Sequence, residues 1–246
     1  MRPVLIVQHQ ADVAPGRFAQ WLTARGLPHE TVRIHAGDAV PASAAAYSGL
    51  CFMGGEMSVN DPLPWIAQEL ALIRDADARG IAVIGHCLGG QLLAKALGGE
   101  VRRHRLKEIG WGRVLPADDA LARDWLGEPA GEVEVFQWHG DAFDLPPGAR
   151  QLCTNAWCTH QAFVVQRADC AHLGMQFHIE MTPDLVRLWS GKSSSQDEIE
   201  AERRATGGPA VQSPAEQCAD LEARCARMGK VAERLYERWA RSLRLV

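Results

Sequence analysis

Two short stretches hold residue types that could make and break an acyl bond. In "IGHCLGGQLL" (84–93), Cys87 sits between an apolar run, Ile81 to Ile84, and a helix-like run from Leu88, flanked two positions away by Gly85 and Gly89. A strand that turns sharply into a helix strains its junction residue and lifts that side chain clear. Residues two positions away must then lack side chains. The sulfur would stand at a helix N-terminus, where the dipole favours negative charge, and the Leu88 N–H would be free to stabilise an oxyanion. In "GMQFHIEMTPD" (174–184), His178 and Glu180 are two apart, so on an extended chain both side chains point the same way. The carboxylate can fix the ring tautomer, which leaves the other nitrogen to take a thiol proton. That is the nucleophile, base and orienter of covalent catalysis. In "FMGGEMSVND" (52–61), Gly54 and Gly55 follow an apolar segment and can present backbone N–H groups to developing negative charge. Each stretch alone has a plainer reading: a buried cysteine, an edge histidine, a glycine turn. Together they point to acyl transfer.

The elements that must position these residues follow from hydrophobic periodicity. Strands are expected at 3–8, 30–34, 47–55 and 81–85, with helices at 15–26, 64–80 and from Leu88. Strand–helix alternation with continuous apolar strands implies a mainly parallel central sheet flanked by helices, an α/β fold. Segments 133–140, 150–155, 162–167 and 172–178 also read as strands, but their short connections fit antiparallel or mixed pairing. Composition turns polar near Ser190. A short charged helix is expected around 196–205, a loop at 206–214 and one long helix over 214–243. That helix carries an apolar stripe of Leu221, Cys225, Met228, Val231, Leu235, Trp239 and Leu243. The expected organisation is a domain over 1–190 with a C-terminal helical extension over 191–246.

The 246 residues, 47% hydrophobic and 23% charged with a net charge of −4, suit a globular chain with a substantial core. Nothing in the charge suggests nucleic-acid binding. No run approaches the roughly 18 apolar residues of a membrane span, and the N-terminal apolar run is too short for a signal peptide, so a cytoplasmic protein is expected. Seven scattered cysteines argue against a disulfide framework. Cys153, Cys158, His160 and Cys170 match no common zinc spacing, so no metal is expected. His86, adjacent to Cys87 in a turn, should diverge from it and play a structural part.

GHCLGGQ, the downstream QFHIE, the early MGGxxS and "WHGDAFDLPPGA" (138–149) together resemble the class I, triad-type glutamine amidotransferases, over about residues 1–190 and in that family's order. The likeness is greatest to stand-alone, GMP-synthase-like members. It implies a flavodoxin-like fold with Cys87 as nucleophile, His178 as base and Glu180 as its orienter. It implies an oxyanion hole from the N–H groups of Gly55 and Leu88. Gly54, Gln91, Trp138, His139 and Gly140 would line the site for glutamine, with no cofactor. The chain departs from the family pattern twice: Ile179 and Glu56 stand where many members have proline. No nucleotide-binding signature appears, so the released ammonia would be used by a synthetase in trans. The alternative keeps the chemistry and takes a γ-glutamyl peptide or conjugate. A second alternative is a catalytically silent binding protein of the same fold. The related DJ-1/PfpI-like class shares the elbow but lacks the downstream H-x-E pair.

Overall fold

The computed structural model describes residues 1–127 and 131–244. In chain order the elements are β1 (Val4–Gln8), α1 (Gly16–Ala24), β2 (His29–Arg33), β3 (Gly49–Phe52), α2 (Pro64–Arg79), β4 (Ala82–His86), α3 (Leu88–Ala96), β5 (Val101–Pro116), α4 (Ala120–Leu126), β6 (Val133–Phe143), β7 (Ala149–Thr154), β8 (Ala162–Gln166), β9 (Ala171–Met175), α5 (Pro183–Gly191), α6 (Ser193–Thr206), α7 (Pro214–Cys218) and α8 (Leu221–Ala240). Among the described residues the strands form one sheet in the order β2-β1-β3-β4-β9-β8-β7-β5-β6. The pairings from β2 through β9 are parallel. Those from β9 through β6 are antiparallel, so the sheet is mixed.

Period-two alternation divides the core. On β1, Val4 and Ile6 join one apolar cluster, whereas Leu5 and Val7 join the other. The first cluster takes up Phe18 and Trp21 of α1 and the α8 stripe of Leu221, Cys225, Met228, Leu235 and Trp239. The second takes up Ile66 and Ile73 of α2 and Leu92 of α3. Strands β1, β3 and β4 are thereby buried on both faces, which is why they read as unbroken apolar runs, whereas β2 at the sheet edge is half exposed.

Two differences from the sequence expectation have physical causes. β5 is sixteen residues long and was not anticipated, because Arg102, Arg103, His104, Arg105 and Lys107 break its apolar pattern. It is stabilised by a long antiparallel pairing with β6. The single helix expected over 214–243 is two. A capping box of Ser213 and Glu216 starts α7, and Asp220, at φ 50°, breaks the chain before α8 begins. The apolar stripe begins at Leu221, just past the break, so its spacing does not mark where the helix before it ends. α4 and α5 also went unread. Residues 245–246 of the expected C-terminal extension lie outside the described residues. Among the described residues no helix is long and apolar enough to cross a membrane.

Candidate active site

β4 delivers the chain to Cys87, and α3 begins at the next residue. Cys87 holds φ 49° and ψ −107°, a conformation that L-residues avoid at a cost of about 1–3 kcal/mol. The surroundings over-determine it. Its N–H donates to the Met175 carbonyl of β9 at 2.9 Å, its carbonyl accepts from Gln91 N–H at 2.9 Å, and Gly89 N–H donates to the Met53 carbonyl at 3.1 Å. The glycines are required by close approach. A Cβ on Gly85 would lie 2.3 Å from the Gly89 carbonyl oxygen, and one on Gly89 would lie 2.0 Å from the Phe52 carbonyl oxygen. Backbone cannot yield there, so Gly89→Ala is expected to destabilise the fold by about 3 kcal/mol. An unchanged denaturant midpoint would contradict that packing.

The second element does not act through an extended chain. β9 ends at Met175, and His178 sits beyond it in an isolated bridge to Phe136, its N–H donating to the Phe136 carbonyl at 2.8 Å. A turn then brings Glu180 round, and His178 Nδ1 lies 2.7 Å from Glu180 Oε1. Trp189 of α5 packs edge-on against the His178 ring at 4.9 Å. Both members of the pair are buried. Burial opposes charge on His178, but the Glu180 carboxylate and the neighbouring Cys87 sulfur outweigh it and push the ring up to about 10. Burial likewise opposes charge on Glu180, and His178 reverses that, holding the carboxyl below its usual value. The histidine is therefore charged when folded. Its contribution to stability is complete below pH 6.5, the ordinary value, and fades as pH rises through about 10.

A cavity of about 360 Å³ opens over Cys87, a volume suited to a small molecule. Gly55, Gln91, Trp138, His139, Gly140 and His178 line it with Cys87. Gly54, Leu88 and Glu180 stand behind its wall. Gly54 packs so closely on the His178 ring that a Cβ there would lie 2.6 Å from Cε1. Leu88 opens α3, so its N–H has no carbonyl one turn back within the helix. The Cys87 sulfur lies 3.6 Å from the Trp138 carbonyl oxygen and 3.8 Å from Gln176 Nε2. Gln91 donates to the Asp141 carbonyl at 3.1 Å. His139 is held from behind: its Nε2 lies 3.1 Å from Oε1 of the buried Glu108, which also accepts from Gln161 at 2.7 Å.

Sequence reading missed the outer wall. Trp189, Lys192 and Glu198 come from α5, α6 and the residue between them, and Asp12 from the loop after β1. Lys192 pairs with Asp12 and lies 3.7 Å from Glu56, whose side chain is 71% exposed. Glu56 thus points outward at the mouth. Lys107 pairs with Glu198, which also accepts from Trp138 Nε1 at 2.9 Å. No local pattern links these residues, since they converge only in the fold. Among the described residues no group of three or more His, Cys, Asp or Glu could hold a metal ion.

The chain is similar to known proteins. The family model for glutamine amidotransferase class-I matches residues 17–186. The glutamine amidotransferase-like protein YfeJ of Salmonella typhimurium is 30% identical over 188 residues, covering 74% of this chain and 77% of its own length. The glutamine-hydrolysing GMP synthase of Nitrosomonas eutropha is 31% identical over 179 residues, covering 67% of this chain but only 32% of the synthase. A crystal structure of a glutamine amidotransferase from Methylobacillus flagellatus superposes with a TM-score of 0.92 at 43% identity, covering 99% of this chain and 96% of that one. Another, from Thermotoga maritima, gives 0.83 at 27% identity, covering 97% and 98%. A family model that spans residues 17–186 and a relative 30% identical over 74% of the chain lead to one conclusion: the chain belongs to the class I glutamine amidotransferases.

Proposed function

We propose that the chain hydrolyses the γ-carboxamide of glutamine through a γ-glutamyl thioester on Cys87. The observation that carries this reading is the convergence of a strained Cys87 and the His178–Glu180 pair on one cavity. The thiol proton already rests on His178, and the Cys87 sulfur attacks the amide carbon. Negative charge on the carbonyl oxygen is met by the N–H groups of Leu88 and Gly55. Collapse of the adduct breaks the C–N bond, and His178 returns the proton to the departing ammonia. Water then attacks the thioester, His178 accepting its proton, and glutamate leaves with Cys87 restored. Gln91 and the backbone of Trp138–Gly140 hold the amino-acid end of the substrate.

Glu180 keeps His178 in the tautomer that presents Nε2 to the sulfur. Glu180→Ala is expected to lower kcat by roughly 10²–10³-fold, less than loss of either partner, because geometry is loosened rather than chemistry removed. Unchanged kcat would remove Glu180 from the mechanism.

The relative that is a GMP synthase is named as glutamine-hydrolysing, and this chain spans about a third of it. By that analogy a synthetase acting in trans consumes the ammonia. A second reading, hydrolysis of a γ-glutamyl peptide or conjugate, draws on the charged mouth. There Glu56, Lys192, Asp12, Lys107 and Glu198 extend the cavity beyond Cys87. Ammonia or amine release from glutamine and from a panel of γ-glutamyl amides separates the two. Release from glutamine supports the first, turnover of conjugates alone supports the second, and silence on all supports a non-enzymatic binding protein.

A further inference from the structure

Glu180 spends one oxygen on His178 and leaves the other, Oε2, buried without a hydrogen-bond partner among the described residues. Behind it stands His86, which the proposed chemistry does not use. Its side chain is 0% exposed, and its Nε2 lies 4.0 Å from Oε2. The same Nε2 is 3.3 Å from the hydroxyl of Tyr236, delivered by α8 from the far end of the chain. The buried Tyr236 ring packs edge-on against His86 at 6.0 Å and against Phe18 at 5.0 Å, which fixes the hydroxyl. The other ring nitrogen, Nδ1, lies 3.7 Å from Cys51 Sγ.

Proton placement follows from what each partner can do. Burial lowers His86 and outweighs the pull of Glu180, so the ring is neutral, with one N–H and one lone pair. Burial raises Tyr236 well above 10, and the Glu180 charge adds to it, so its O–H stays a donor. A donor aimed at Nε2 places the lone pair there and the N–H on Nδ1, beside Cys51 and the Phe52 carbonyl. In this tautomer His86 offers no proton to Glu180 Oε2, and the carboxylate charge acts on His178.

We propose that Tyr236 is a positioning residue for the candidate triad: by donating to His86 Nε2 it locks the tautomer that reserves Glu180 for His178. This rests on the reading of Cys87, His178 and Glu180 as the reacting set. The titratable or charged groups facing the cluster are His178, Cys51 of β3 and Arg17 of α1. Arg17 donates its backbone N–H to the Glu180 carbonyl at 2.8 Å and its guanidinium to the Cys225 carbonyl at 3.1 Å. His178 is held by Glu180, and the Arg17 guanidinium packs on Gly229 of α8, its Nε without a hydrogen-bond partner; the ring that stands 4.0 Å from Glu180 Oε2 is His86, the competitor that Tyr236 restrains.

Tyr236→Phe keeps the ring and removes the lock. His86 Nε2 can then carry the proton and close on Oε2, so Glu180 divides its charge between two imidazoles and His178 holds a proton less well. The test is the pH dependence of Cys87 alkylation by iodoacetamide, read by mass spectrometry with the exposed Cys218 as internal reference, alongside kcat and KM. The Cys87 profile is expected to move toward higher pH. kcat should fall about tenfold while KM stays within about twofold. The double variant His86→Leu/Tyr236→Phe removes competitor and lock together and leaves neither polar partner orphaned, so it should return both readouts to within about twofold of wild type. A Tyr236→Phe protein that melts lower with its alkylation profile and kcat unmoved would overturn the proposal, as would a double variant as impaired as the single. If the chain releases no ammonia from any substrate, the alkylation profile still reads the lock, so the two failures remain distinguishable.

Discussion

Cys87→Ala is expected to abolish amide hydrolysis, with kcat falling at least about 10⁴-fold, and to leave the protein folded. The change removes the sulfur at a buried position and no hydrogen bond that the elbow depends on. The bonds that hold φ at 49° run from the backbone to Met175 and Gln91. Alanine tolerates that conformation no better and no worse than cysteine, because both carry a Cβ. Thermal unfolding should therefore shift little while ammonia release stops. The other six cysteines offer no substitute. Five are buried, and burial raises Cys51, Cys153, Cys158, Cys170 and Cys225 above the ordinary thiol value, toward inert thiols. Retained turnover would refute covalent catalysis at Cys87.

His178→Ala removes the proton carrier, and kcat should fall about 10³–10⁴-fold, with Cys87 alkylation near neutral pH slowed in parallel. This variant also disturbs the fold. Glu180 loses the partner on Oε1, and Oε2 already has none. A carboxylate left so buried costs about 3 kcal/mol, or takes up a proton instead. The melting temperature should drop accordingly, and the drop should shrink in mild acid as Glu180 is neutralised. Activity must therefore be compared well below the melting temperature. Unchanged turnover and unchanged alkylation together would exclude His178 as the base.

Much of the scaffold was legible because its causes are local. β1, β3 and β4 are covered on both faces and so read as unbroken apolar runs, β3 and β4 ending near glycine. The elbow was legible because Gly85 and Gly89 are demanded by backbone approaches of 2.3 and 2.0 Å, and sequence records such demands as absent side chains. What escaped was decided at long range. β5 carries five basic residues over 102–107 and is a strand because β6 pairs with it. The break at Asp220 leaves no mark, since the apolar stripe that reveals α8 starts only at Leu221. His178 and Glu180 meet through a turn rather than along an extended chain, so their spacing suggested the partnership for an incomplete geometric reason. The roof over Cys87, with Trp189, Lys192 and Glu198, assembles from segments whose only common feature is where the sheet sends them. His86 and Tyr236 are 150 residues apart, and no local pattern pairs them.

The central claim is the acyl-enzyme, and it can be seen directly. The protein is mixed with glutamine, quenched in acid within the first turnovers, and the peptide bearing Cys87 is weighed by mass spectrometry. A γ-glutamyl adduct on Cys87 is expected, one that hydroxylamine removes, that is absent in Cys87→Ala and that accumulates in step with the first equivalent of ammonia. Ammonia released from glutamine with no adduct on Cys87 at any quench time, or released equally by Cys87→Ala, would contradict it.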